Sequence, residues 1–120
     1  MIRSRGLNHI NLNVKNLKRS VAFYQKAFGL KVRFTVGRRR MFLGSPGADD
    51  VVTLYKAQKN EPVGNGGVSH FGFKMNGSVE RCIAQIERAG GKLLDRGEHA
   101  PGIPYAYVAD PDGYIIELGT

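Results

Sequence analysis

The chain has 120 residues, enough for one compact domain, and its 42% hydrophobic and 23% charged residues are ordinary for a soluble globular protein. No apolar run approaches the ~20 residues of a membrane helix, and the N-terminus lacks the apolar core of a signal peptide. A single cysteine excludes an internal disulfide framework and suits a reducing compartment. We therefore expect a cytoplasmic protein that has no membrane partner.

The net charge of +8 is high for this length, and Arg38-Arg39-Arg40 is its densest patch. A solvated basic face that aids solubility is the favoured interpretation, and attraction of an anionic small substrate comes next. Nucleic-acid binding ranks last, because the chain has neither zinc-finger spacing nor an RNA-binding aromatic signature. We expect no nucleic-acid partner.

The first half of the chain predicts a strand, a helix and three further strands. Leu7–Val14 alternates between apolar and polar residues, as a half-buried strand does. Asn16 is a suitable N-cap for a helix over Leu17–Phe28, where apolar residues recur at helical spacing, and Gly29 is a suitable stop. The three predicted strands that follow are Leu30–Val36, Arg40–Leu43 and Asp50–Ala57.

The second half predicts the same series after a linker at Gln58–Gly67, which is rich in glycine and has little to bury. Val68–Met75 alternates, and Ser78 can cap a helix over Val79–Ala89. Glu98–Pro104 carries two prolines and a glycine and therefore predicts a loop. The remaining predicted strands are Lys92–Asp95, Tyr105–Ala109 and Tyr114–Leu118.

The two halves read as copies of one unit. His70 stands 61 positions after His9, Gly90 stands 61 positions after Gly29, and the pattern between them agrees without a gap. Each copy is strand, helix and three strands, so each buries its apolar face against its partner. The sequence predicts a single α+β domain over 1–120, with a βαβββ module at about 5–57, the linker at 58–67 and a second βαβββ module at about 68–120.

Three residues on polar strand faces are candidates for a metal site: His9, His70 and Glu117. His9 and His70 are equivalent in the repeat, so they would converge if the modules packed about a pseudo-twofold axis. Glu117 stands in an apolar run, where a carboxylate needs a charged partner because uncompensated burial is costly. Two imidazoles and one carboxylate leave positions open on a divalent metal. The alternative is that each histidine is a hydrogen-bonded structural residue.

Several motifs resemble one superfamily and cover essentially the whole chain. They are Leu7-Asn-His-Ile, Phe23-Tyr24, Phe28-Gly29-Leu30, Ser69-His70-Phe-Gly-Phe and Tyr107-Val-Ala-Asp-Pro-Asp-Gly-Tyr-Ile-Ile-Glu117. Together they resemble the vicinal oxygen chelate superfamily, the group of glyoxalase I, fosfomycin- and bleomycin-resistance proteins and extradiol dioxygenases. The resemblance implies an incomplete, cleft-containing β-barrel of two modules with flanking helices. It also implies a homodimer, whose modules pair between subunits in several members.

The resemblance implies that His9, His70 and Glu117 bind one divalent metal ion per site: Fe, Mn, Ni or Zn. Glyoxalase I has a fourth ligand, a Glu, where the alignment of the modules places Thr53, and a hydroxyl is a poor substitute. The resemblance further implies that Tyr107 contacts metal-bound substrate and that His99 is an acid or base near it. Asn11 shares the face of His9 and could orient substrate through its amide.

The resemblance therefore implies a metal-dependent enzyme that chelates vicinal oxygens of a small substrate, and three ligands slightly favour dioxygenase-like chemistry. A glyoxalase-like lyase or isomerase and a fosfomycin-type thiol transferase are the alternatives. A further alternative is a bleomycin-resistance-like protein that sequesters its ligand without catalysis. Such proteins usually lack the metal triad, which this chain retains.

Overall fold

The computed structural model describes residues 2–119 and contains two helices and eight strands in that range. Each half of the chain supplies one helix and four strands, in the predicted order. The elements are β1 (Ile10–Val14), α1 (Leu17–Phe28), β2 (Lys31–Val36), β3 (Arg40–Gly44), β4 (Val52–Lys56), β5 (Phe71–Lys74), α2 (Val79–Arg88), β6 (Lys92–Ala100), β7 (Ile103–Ala109) and β8 (Ile115–Gly119).

The strands form two four-stranded sheets, one for each module. The first sheet has the order β1-β4-β3-β2 and the second the order β5-β8-β7-β6. In both, the first strand of the module lies parallel to the last, and the other pairs are antiparallel. The predicted α+β fold of two βαβββ modules is confirmed. The two sheets do not close into a barrel with each other.

Both helices begin and end where the sequence predicts, to within one residue. The Asn16 side chain accepts a hydrogen bond from the backbone N–H of Arg19, and the Ser78 side chain accepts one from that of Arg81. Gly29 ends α1 in the left-handed conformation, with φ 66°. With 12 and 10 residues, the two helices of the described chain are too short to span a bilayer.

The modules are joined on the side of the sheets that the helices cover. The carboxylate of Asp112 is fully buried and accepts hydrogen bonds from the backbone N–H of Lys15 and the side chains of Arg19 and Ser20, at the start of α1. At the other end of α1, the ring of Phe28 stacks on that of Phe73 with centroids 4.4 Å apart. Helix α1 of module one therefore packs on both modules.

Each sheet turns its opposite face away from the helices, and we call this the far face. In the strand pairs at the centre of each sheet, core residues such as Leu54 and Ile116 alternate with far-face residues such as Thr53 and Glu117. The register places Phe34 and Val36 on the far face of the first sheet, where they are 54% and 52% exposed. The far face of the first sheet therefore carries apolar surface that residues 2–119 do not cover.

The prediction of a loop at Glu98–Pro104 is wrong. Most of this segment belongs to β6 and β7, which form a hairpin with Pro101 and Gly102 at its turn. The register shifts between Glu98 and Ala100, so His99 is an extra residue in a β-bulge. A proline without an N–H is tolerated beside such an irregularity in the ladder, which is where Pro104 lies. The prolines led to the prediction of a loop at a place where the chain forms strands.

The first strand of each module is shorter than predicted. It starts at Ile10 instead of Leu7 in module one, and at Phe71 instead of Val68 in module two. His9 and His70 therefore lie immediately before their strands, at equivalent places in the two modules.

Candidate functional site

Glu117 and His70 meet on the far face of the second sheet. Glu117 lies in β8, where it pairs in register with Gly72 of β5 and Tyr107 of β7. The Nε2 atom of His70, two residues before Gly72, lies 3.2 Å from Oε2 of Glu117. The parallel pairing of β5 with β8 thus brings together a histidine and a carboxylate that are 47 residues apart.

The alternation of β8 explains how a carboxylate is accommodated in an apolar strand. Ile116 and Leu118 point into the core and are 0% and 1% exposed, whereas the Glu117 side chain points to the far face and is 23% exposed. Two imidazoles, those of His70 and His99, contact the Glu117 carboxylate. Each contacts a different oxygen of the carboxylate.

His99 reaches Glu117 from the bulge in β6. Its Nε2 atom lies 2.6 Å from Oε1 of Glu117, and its ring stacks on Tyr105 with centroids 4.3 Å apart. Gly97 makes room for that tyrosine, because a Cβ at residue 97 would lie 2.9 Å from the Tyr105 hydroxyl. His99 reaches the carboxylate across β7, which lies between β6 and β8 in the sheet.

Tyr107 completes a continuous series of rings around Glu117. Its ring lies edge-on to His70 at a centroid distance of 4.9 Å and to Tyr105 at 5.3 Å. Desolvation, followed by the charge of Glu117, raises the pKa of the Tyr107 phenol above its usual value. At neutral pH the phenol is therefore protonated and can donate a hydrogen bond to an oxygen of a bound molecule.

Two residues that the sequence did not single out set the position of His70. The Ser69 hydroxyl lies 3.0 Å from Nδ1 of His70. The Asn65 amide donates hydrogen bonds to the carbonyls of Val68 and Ser69, and its oxygen accepts one of 2.8 Å from the backbone N–H of Ile115. Asn65 thereby ties the segment before His70 to the start of the strand that carries Glu117.

The equivalent place in module one has a different set of side chains. Thr53 pairs in register with Asn11 and Phe42, as Glu117 pairs with Gly72 and Tyr107, so the alignment that matched Thr53 with Glu117 agrees with the strand pairing. The Thr53 side chain is 2% exposed, and its hydroxyl has no hydrogen-bond partner in the described chain.

Of the predicted site residues, the structure brings together His70, Glu117, His99 and Tyr107. His9 is exposed, and its Nδ1 atom lies 2.6 Å from the Asn8 side-chain oxygen. Among residues 2–119, no hydrogen bond, ion pair or ring contact joins His9 or Asn11 to any of these four residues.

The side chains around Glu117 are of the kinds that bind divalent metals, but residues 2–119 do not provide a complete set of ligands. Imidazole nitrogen and carboxylate oxygen suit zinc, iron, nickel and manganese. Across residues 2–119, however, no three His, Cys, Asp or Glu side chains are arranged to hold one ion. A cavity of about 270 Å³ beside Glu117, which Lys74 and His99 also line, leaves room for a small molecule.

Comparison with known proteins places these features in a family. The family model for the Glyoxalase/Bleomycin resistance protein/Dioxygenase superfamily matches residues 6–118. A trivalent organoarsenical cleaving enzyme from Bacillus sp. (strain MD1) is 34% identical over 113 residues, which are 88% of this chain and 66% of that protein. A lactoylglutathione lyase from Neisseria meningitidis serogroup A is 30% identical over 93% of this chain and 88% of its own length.

A solved structure has the same fold. It is a mutant of the fosfomycin resistance protein FosX from Listeria monocytogenes, complexed with Mn(II) and 1S,2S-dihydroxypropylphosphonic acid. The TM-score is 0.77 at 23% identity, and the match covers 98% of this chain and 90% of that one.

Proposed function

Because the chain belongs to the Glyoxalase/Bleomycin resistance protein/Dioxygenase superfamily, we propose that it is a divalent-metal-dependent enzyme that chelates vicinal oxygens of a small substrate. The proposed ligands are His9, His70 and Glu117. The observation that carries the proposal is the 3.2 Å approach of His70 to Glu117 on the far face of the second sheet. A metal bound there would act as a Lewis acid toward two neighbouring substrate oxygens.

The third ligand is proposed to arrive through dimerisation. His9 lies at the edge of the first sheet, and the modules of one chain use their helix-covered sides to contact each other. The far faces remain available, and the exposed Phe34 and Val36 on the first sheet suit burial against a second copy. A homodimer that pairs the first sheet of one subunit with the second sheet of the other would bring His9 to His70 and Glu117.

The surrounding residues have distinct proposed roles. The protonated Tyr107 hydroxyl donates a hydrogen bond to a substrate oxygen and stabilises negative charge that develops on it. His99 holds the Glu117 carboxylate in place and is close enough to the cavity to exchange a proton with substrate. Asn11 orients the substrate through its amide. Lys74 lines the same cavity and would favour an anionic substrate.

Among the reactions of the superfamily, we favour dioxygenase-like chemistry on a substrate with two adjacent hydroxyls. Three ligands leave open positions, and the residue equivalent to Glu117 in module one is Thr53, whose buried hydroxyl is a poor metal ligand. The single cysteine, Cys82, fits the cytoplasmic location in which we place the activity. It also argues against trivalent arsenicals as substrates, since a soft centre of that kind is best held by several thiolates.

A lyase of the lactoylglutathione type is the second candidate. The observation that favours it is the alignment with lactoylglutathione lyases over 93% of this chain. Thr53 is the feature against it. Formation or consumption of lactoylglutathione by the metal-loaded protein, followed through the absorbance of its thioester, separates this reaction from oxygen uptake with catechols.

The first experiment is the metal content of the protein and of a His70→Ala variant, with the oligomeric state measured on the same samples. We expect about one divalent ion per chain in the wild type and loss of the ion in the variant. The loaded protein is then screened for oxygen uptake with catechols. Failure to bind any divalent ion, even in excess metal, would overturn the proposed enzyme and favour a protein that sequesters its ligand.

A further inference from the structure

A second cavity lies away from Glu117. It is an open groove with a volume of about 780 Å³, bounded by the end of α1, one side of α2 and the end of β5. Phe73 and Met75 line it and alternate along the chain with Gly72, which pairs with Glu117. The cavity is therefore on the helix-covered side of the second sheet, opposite to the far face.

The floor of this cavity is apolar. Phe28 and Phe73, which stack on each other, form one part of it with Met75, and the buried Ile86 and Leu118 form the rest. This volume and this lining are typical of sites that bind small molecules, in which an apolar surface holds the body of the ligand and a few polar groups orient it.

The rim of the cavity is basic. Arg81 and Arg88 contribute to its lining, and no Asp or Glu does. Neither of these two side chains takes part in the ion pairs found among residues 2–119. Two cations without acidic ion-pair partners beside an apolar floor create a positive potential that favours an anionic ligand over a neutral one.

We propose that this cavity is a binding site for a small amphiphilic anion, a molecule with an aromatic or aliphatic body and a carboxylate or sulfonate head. The body would lie against Phe28, Phe73 and Met75, and the head would contact Arg81 and Arg88. The site is independent of the metal-binding residues and does not rest on the proposed enzyme activity.

The first test uses two fluorescent probes that share an apolar body. Anilinonaphthalene sulfonate carries an anionic head, and phenylnaphthylamine lacks it. We expect the folded protein to bind the sulfonate at least about tenfold more tightly than the neutral probe, because only the former can pair with the arginines. Equal affinity for the two probes would overturn the charge argument.

Charge variants locate the binding. The variant Arg81→Glu with Arg88→Gln removes the basic rim, and Glu at residue 81 would form a capping box with Ser78, so that the start of α2 is preserved. The matched control is Lys18→Glu with Arg38→Gln, which changes the net charge equally at exposed residues outside the cavity. We expect about tenfold weaker sulfonate binding in the first variant and no change in the control. Equal weakening of sulfonate binding in both double variants would show that the net charge of the protein, and not the rim of the cavity, causes the effect.

Two further measurements separate this site from the far faces. Cys82 is the only cysteine and lines the cavity, so bound octanoate should slow its alkylation by the neutral reagent iodoacetamide. Ala84→Trp should fill the cavity and abolish sulfonate binding, whereas Glu117→Gln should leave it unchanged. Far-UV circular dichroism and the melting temperature establish that each variant is folded. Unprotected Cys82, or binding that is lost in Glu117→Gln and kept in Ala84→Trp, would overturn the proposal.

Discussion

His99 of β6 contacts Glu117 of β8 at 2.6 Å, although β7 lies between these two strands in the sheet. The same carboxylate also receives His70 on its other oxygen. Glu117 is therefore held by an imidazole at each of its two oxygens.

Replacing His99 tests whether this contact supports Glu117 as the proposed metal ligand. We expect His99→Ala to weaken the binding of Mn(II) or Zn(II) about tenfold, as the loss of a group that orients a ligand typically does. His99→Gln should recover part of the affinity, because its amide can still donate to the carboxylate. Calorimetric titration measures both effects.

The control for His99 is Glu98→Gln, a neighbouring strand residue on the exposed surface. It should bind metal as the wild type does. An increase in affinity in His99→Ala would contradict the prediction, since it would mean that His99 competes with the metal for Glu117.

Asn65 is the second residue whose replacement should affect the site indirectly, through the hydrogen bonds that it makes. Asn65→Ala loses its three hydrogen bonds with Val68, Ser69 and Ile115, which should lower the free energy of unfolding by about 1–3 kcal/mol. It should also weaken metal binding, because the segment before His70 is no longer tied to β8. Urea unfolding and metal titration give the two quantities.

Asn65→Asp separates the two functions of the amide. It keeps the oxygen that accepts from Ile115 but loses the donor to the carbonyls before His70, so we expect intermediate stability with weak metal binding. Lys59→Ala, an exposed change in the same linker, should alter neither quantity. Wild-type metal affinity in Asn65→Ala would exclude a positioning role for this residue.

The sequence predicted those parts of the fold that depend on periodicity and local capping. Asn16, Ser78 and Gly29 delimit the helices, and the alternation of β8 places Glu117 on the far face. The roles of His99 and Asn65 depend instead on hydrogen bonds between segments that are distant in the sequence. Prolines indicated a loop around His99, and an amide between Gly64 and Gly66 is not distinguished by sequence from any other linker residue.

Gly72 leaves the space in which Glu117 is placed. A Cβ atom at residue 72 would lie 3.0 Å from the backbone oxygen of Glu117 and 3.4 Å from its Cβ. We expect Gly72→Ala to lower the free energy of unfolding by about 1 kcal/mol or more through this overpacking, and to weaken metal binding by displacing the carboxylate.

The matched control for Gly72 is Gly66→Ala. No atom lies within 4 Å of a Cβ built at Gly66, and its φ is outside the left-handed region. Chemical denaturation should show little change in Gly66→Ala. Equal stability of the two variants would show that β5 and β8 separate at little cost.

Asp110 should make stability depend on pH below neutrality. It is 4% exposed, and burial raises the pKa of its carboxyl above the usual value although the Tyr24 hydrogen bond opposes the shift. Because the folded-state pKa is raised, the contribution of Asp110 to the free energy of unfolding is fully present below about pH 4. That contribution is lost as the pH rises through the folded-state pKa. Asp110→Asn should remove this part of the pH dependence.

Urea unfolding between pH 3 and pH 7, as an approximate range around the carboxyl pKa, measures the dependence for the wild type and Asp110→Asn. The exposed Asp49→Asn is the control and should follow the wild type. If the wild type and Asp110→Asn differ by the same free energy at every pH, Asp110 does not titrate differently in the folded chain.

Tyr24 should make the free energy of unfolding depend on pH in the alkaline range. Its hydroxyl donates a 2.8 Å hydrogen bond to Asp110, and burial, followed by the charge of Asp110, raises the pKa of the phenol well above its usual value. Its contribution is therefore fully present below about pH 10 and is lost as the pH rises through the folded-state pKa. At neutral pH, Tyr24→Phe should cost about 1–3 kcal/mol, because the buried Asp110 oxygen loses its donor. Above pH 10 the stability of the wild type should fall toward that of Tyr24→Phe, and parallel curves would contradict the assignment.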